Sequence, residues 1–148
     1  MRKLISLISL SFCFTNAAFA GEATQKDAVA MAEKGESFLK ANGKDKLIEK
    51  INAKDPQFVD GELYLVALDM KGNHLAHPVN GQLLGKSMLD VPDADGKMFR
   101  QERVDLAATK GKGWVDYKYK NPSNSKVENK TAYVLKSGDM ILTVGAYK

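Results

Sequence analysis

Apolar residues follow two different periods along this chain, and the change falls at Pro56. Before it the spacing is helical. Val29, Ala32, Phe38 and Leu39 lie near one stripe with Lys and Glu opposite, which predicts a helix over Ala23–Asn42. Asn42-Gly43 is its stop, Gly43 being suited to the left-handed position after a helix. A shorter helix runs through Leu47, Ile48 and Ile51 and ends near Asp55-Pro56, because the residue before proline disfavours helix.

After Pro56 strand formers take over. Leu63 to Leu68 is nearly all apolar, Asp69 to Asn73 is turn chemistry, and His74 to His77 returns as a second strand stopped by Pro78. Asn80 to Asp95 reads as a loop, broken by Gly81, Gly85 and Pro92. Asp93 or Asp95 is placed to cap a helix over Lys97–Thr109, with Phe99, Val104 and Leu106 as its buried positions and Gly111-Lys112-Gly113 as its end. Trp114–Lys120, Glu128–Lys136 and Met140–Tyr147 are the last strands, joined by turns at Asn121–Ser125 and Ser137–Asp139. Short turns between sequential strands give an antiparallel sheet. The expected class is α+β, with about five strands, the N-terminal helices and one crossover helix packed on the sheet.

The extreme N-terminus follows another logic. Met1-Arg2-Lys3 is basic, Leu4 to Phe14 is mainly apolar, and Ala18-Phe19-Ala20 is a small-x-small site before Gly21. Residues 1–20 therefore read as a secretory signal peptide and 21–148 as the working domain, exported, and periplasmic if the source is Gram-negative. Cys13, the one cysteine, leaves with the signal, so no disulfide or cysteine-bound metal is expected. Arg2 and Lys3 leave too, and the formal charge falls from +4 to +2. Lys alternates with Asp and Glu instead of forming blocks, which argues against a nucleic-acid partner. After the signal no apolar run reaches the roughly 18 residues of a membrane span.

A set of short motifs in order along residues 21–148 resembles a single Cache domain, a PAS-like extracellular ligand-binding module of bacterial receptors. They are Gly61-Glu62-Leu63-Tyr64, Asp69, Gly72, His77-Pro78, Leu84-Gly85-Lys86-Ser87, Asp95-Gly96-Lys97 and Gly111 to Tyr117. Asn121-Pro122, Lys130, Tyr133-Val134 and Gly145-Ala146-Tyr147 complete the set. The resemblance implies a PAS-like sheet and a small-molecule pocket formed near His77, Trp114, Tyr117, Lys130 and Tyr133. The departure from most members is the missing membrane helix and signalling domain, so the expectation is a stand-alone domain serving a membrane receptor or kinase.

An ammonium, phenols and an imidazole on a concave sheet suit a small organic acid. Lys130 would supply charge, the Tyr hydroxyls and His77 orientation, and Trp114 a wall. Arg100 and Arg103, three apart on the crossover helix, would close over the acid or face solvent. Each has a plainer alternative: His77 on a loop carbonyl, Trp114 in the core, Lys130 as a solvated strand charge. Strand parity sets a further condition. Trp114 and Tyr117 are three apart, as are Lys130 and Tyr133, so each pair faces opposite sides unless a bulge intervenes.

Other chemistry finds little support. Asp90, Asp93 and Asp95 lack the spacing and terminal Glu of a calcium loop. His74 and His77, three apart on a strand, are expected on opposite faces, a poor metal pair. No nucleophile triad, phosphate loop or haem motif occurs, and no cofactor is expected. The expected function is non-covalent capture of a small organic acid under a lid at Leu83–Asp95, and its presentation to a partner. The alternatives are a ligand-free module dimerising through its N-terminal helices, and, less favoured, an envelope enzyme using His77 with Asp116 or Glu128.

Overall fold

In the computed structural model, residues 24–148 are described; residues 1–20, read above as a signal peptide, lie outside them. Helix α1, Gln25–Asn42, starts at Thr24 with a capping box. Thr24 Oγ1 accepts from the Asp27 amide and Asp27 Oδ2 accepts from the Thr24 amide, at 3.2 and 2.9 Å. Gly43, at φ 88°, breaks the helix, and α2, Lys44–Asn52, follows at once. The second helix stops at Asn52, three residues short of the expected Asp55 end.

Strands β1 (Val59–Asp60), β2 (Leu63–Asp69), β3 (His74–Ala76), β4 (Lys112–Lys120), β5 (Val127–Ser137) and β6 (Met140–Tyr147) form one sheet. It has six strands against the five expected, because two residues after Phe58 turn back to pair with the start of β2. The order is β1-β2-β6-β5-β4, with β3 also on β2, and every pairing is antiparallel.

Both faces of the sheet are covered, so β2 and β6 are buried almost throughout. On one face α1 and α2 pack over Leu65, Ala67, Leu135, Leu142 and Val144. On the other, α3 (Phe99–Lys110) packs over Val66, Val115, Ala132, Val134 and Ile141. The chain must travel from β3 beside β2 to β4 beyond β5. Residues 77–98 and α3 make that crossing and arch over the second face.

Within the crossing, Asp93 departs from its expected role. Helix α3 begins at Phe99 with no side-chain cap. Asp93 Oδ1 instead accepts from the amides of Asp95 and Lys97, each at 2.9 Å, and Oδ2 from the Lys118 amide at 2.8 Å. It ties the loop to β4. Gly111, left-handed at φ 79°, ends α3 as read from the sequence. Among the three expected buried positions Phe99 and Val104 are buried and Leu106 half-buried, while the charged Arg103 is buried beside them.

Candidate functional site

The arch leaves a cavity of about 30 Å³ between α3, the crossing loop and the sheet. Its charged walls are Lys130 from β5 and Arg100 and Arg103 from α3; Tyr64, Tyr117 and Tyr119 supply phenols, and Gly145 and Thr143 floor it from β6. His74 and His77 close the end near Leu83.

Lys130 is 2% exposed. Its Nζ donates to Tyr64 Oη at 3.3 Å and lies 4.7, 4.5 and 5.4 Å from the ring centres of Tyr64, Tyr147 and Tyr119. It makes no ion pair among the described residues. Burial first, then the positive Arg103, pushes the amine down to about 7. Gly145 makes this position available. A Cβ there would stand 2.5 Å from Lys130 Cε and 2.9 Å from Tyr117 Oη, so only glycine lets the lysine fold back against β6.

Arg103 is buried too, at 8% exposure, with its guanidinium carbon 4.4 Å from the Tyr117 ring centre and 4.8 Å from that of Phe99. Its Nε has no hydrogen-bond partner among the described residues. Arg100 stacks on Phe99 at 4.2 Å and donates to the Val91 carbonyl at 3.2 Å, a tie between α3 and the crossing loop. Among the described residues no carboxylate lines the cavity.

The two histidines hold the loop. His77 Nδ1 accepts from the amides of Val79 and Asn80 at 3.3 and 2.9 Å, so its proton sits on Nε2. The expected loop partner was a carbonyl; the ring accepts from loop amides instead. Burial pushes His77 down to about 4. His74 Nδ1 donates to the Lys86 carbonyl at 2.9 Å, and burial lowers that ring as well. The rings lie 6.0 Å apart and share the cavity, which corrects the expectation of opposite faces. The reason is that β3 ends at Ala76, so the two-residue alternation no longer governs His77.

Strand parity divides the remaining expected residues. In the regular ladder between β4 and β5, Tyr117 stands opposite Lys130, and Trp114 opposite Tyr133. The first pair lies beneath α3 and lines the cavity. The second is on the face under α1, with Trp114 38% exposed and 5.2 Å from the Tyr133 ring. Trp114 and Tyr133 are therefore outside the cavity that His77, Tyr117, Lys130, Arg100 and Arg103 share. Asp116 pairs with Lys148 at 2.8 Å, and Glu128 accepts from Asn121 and Asn124; neither acid lines the cavity with His77. Tyr64, Tyr119, His74 and Gly145 were missed as cavity residues. Tyr64 and Gly145 had one signal, membership of the motifs Gly61-Glu62-Leu63-Tyr64 and Gly145-Ala146-Tyr147; Tyr119 and His74 lay outside every motif.

Comparison with known proteins places this geometry in a family. A family model described as Single Cache domain 2 matches residues 22–148. Similar solved structures include a methyl-accepting chemotaxis protein from Vibrio parahaemolyticus, 20% identical, covering 82% of this chain and 86% of that one, with a TM-score of 0.70. A periplasmic sensor domain of a chemotaxis protein is 23% identical over 82% of this chain and 88% of its own, at a TM-score of 0.66. A Cache chemosensory domain, solved for carboxylic acid recognition, is 24% identical over 82% and 86%, at 0.64. No curated protein matches the chain.

Proposed function

The chain belongs to the Single Cache domain 2 family, and from that premise we propose that it is an exported sensory domain holding a small organic acid in the cavity beneath α3. The observation that carries the reading is Lys130, nearly fully buried beside buried Arg103, with no acid lining the cavity. Buried charge of one sign is costly unless an anion joins it. A carboxylate seated there would take charge-assisted bonds from Lys130 and from the unpaired Arg103 Nε. Tyr64 and Tyr117 would orient it, and the loop tied by His77, His74 and Arg100 would keep water out.

The cavity volume favours a short acid over a purine or a large amino acid. Carboxylic acid recognition in a Cache chemosensory domain of the same fold supports this choice. The bound domain would be read by a membrane receptor or kinase, the role of a sensor that performs no chemistry itself.

The test is a melting-temperature screen with short monocarboxylates, dicarboxylates, amino acids, amines and purines, after unfolding and refolding to strip any carried ligand. A true ligand at a hundred times its dissociation constant adds about 2.7 kcal/mol of stability. A shift confined to acids is the expected result. A shift confined to amines or purines overturns the reading.

A further inference from the structure

Granted that the cavity beneath α3 is the acid site, the arrangement around Lys130 also says how the acid is held. Among the described residues, the side chains that line the cavity around Lys130 are cations or neutral groups; Asp93, Asp95, Asp116 and Glu128 lie outside that lining. Helix α3 brings Arg100 and Arg103, and β3 and the residue after it bring His74 and His77. The phenols are Tyr64 on β2, Tyr117 and Tyr119 on β4 and Tyr147 on β6. The acid that acts on Lys130 is Glu62, just ahead of β2 and outside the cavity lining.

We propose that the site binds its acid together with a proton, the arriving carboxylate converting the Lys130 amine to an ammonium. The proton comes from solvent or buffer and adds to the lone pair on Nζ. The donor's bond to that proton breaks and its conjugate base stays in solution; the carboxylate stays ionised and pairs with the new cation.

The neighbours make Lys130 the group that responds near neutrality. The histidines are lowered by burial, His77 to about 4, and remain neutral. Burial raises Tyr64, Tyr117 and Tyr147, which keep their phenol protons. Lys130 alone is brought to about 7, by burial and by Arg103. An anion beside it favours the charged form, offsets both causes and lifts the value again. Affinity for a carboxylate then weakens as pH rises above neutral, by up to tenfold per pH unit while the empty site is an amine and the filled site an ammonium. At a given acid concentration the domain would respond more strongly in acidic surroundings.

Two readings on the whole protein test this. In the first, ¹³C-lysine NMR follows the Lys130 Cε signal, assigned by its loss in Lys130→Arg, through a pH titration of the empty protein. A midpoint near neutral is expected; one at the ordinary lysine value overturns the proposal whether or not an acid binds. In the second, calorimetry at pH 8 titrates acetate, propanoate and succinate in phosphate and in Tris, whose ionisation heats differ. A binding heat that changes with buffer is expected, reporting proton uptake. Binding with equal heats in both buffers overturns proton coupling and leaves acid binding standing. No heat with any of the three acids, and no melting shift with them, overturns the acid reading and this proposal with it.

Discussion

A lysine at 2% exposure, held by one 3.3 Å bond to a phenol and the faces of three tyrosines, costs the empty fold stability, because burial makes its charged form unfavourable and the chain gives up the proton that the unfolded lysine holds. Lys130→Met keeps most of the volume and removes the charge. The empty variant should melt at or above the wild-type temperature and lose its response to acids. A fall of many degrees would instead mean that Lys130 is a structural strut. Gly145→Ala probes the same point from below. The new methyl must displace Lys130 Cε and Tyr117 Oη, so acid binding should weaken at least tenfold, with about 1–3 kcal/mol of overpacking in urea unfolding. Unchanged affinity would mean that Lys130 can sit elsewhere and still work. At this scale the sequence offered Lys130, Tyr117, His77, Trp114 and Tyr133 through a resemblance, with parity warning that the four strand residues could not all line one pocket but not which pair would leave it. Tyr64, Gly145 and Tyr147 reach Lys130 through cross-strand register, which no single strand encodes.

The crossing from Ala76 to Phe99 is the element that turns a sheet face into a cavity. It has little core of its own, and Val79, Leu84, Val91 and Met98 are exposed along it. Side chains fasten it instead: His77 and His74 at one end, Asp93 to β4, and Arg100 to Val91. Protonated His77 has no lone pair on Nδ1 and cannot accept from Val79 and Asn80. In His77→Ala, hydrogen exchange at those two amides should accelerate and acid should leave faster, while amides in β5 and β6 keep their protection. Equal protection at Val79 and Asn80 would show that the loop closes without the ring. The loop was legible as glycine, proline and aspartate punctuation. Its fastening was not, because Asp93 looks identical as a helix cap and as a bridge to a strand that follows it by about twenty-five residues.

For the molecule as a whole, the cavity residues set a pH profile of stability. The folded values of His74 and His77 are depressed, so between pH 6.5 and 4 the unfolded chain binds protons that the fold refuses, and stability falls as pH falls. Lys130 is depressed as well. From about 7 to its unfolded value of 10.5 the unfolded chain again holds the extra proton, so stability rises with pH through that window. Tyr64, Tyr117 and Tyr147 are raised by burial. Above pH 10 the unfolded chain loses phenol protons that the fold keeps, and stability falls. Urea unfolding from pH 5 to 11 should trace this rise and fall, with the neutral limb flattened in Lys130→Met. A limb unchanged in that variant would assign the effect to other groups. The α+β class, the antiparallel order and both N-terminal helices were legible because period and turn chemistry are local. The two-residue β1 was not, since so short a strand is made by its partner and not by its own pattern.

The most direct test of the central claim is to see where an acid sits. A crystal of the protein soaked in bromoacetate, measured at the bromine edge, locates the ligand by anomalous scattering. The account predicts a single strong peak inside the α3 cavity, with the carboxylate in hydrogen-bond reach of Lys130 Nζ and Arg103 Nε. A well-occupied peak elsewhere, with that cavity still empty, would contradict it.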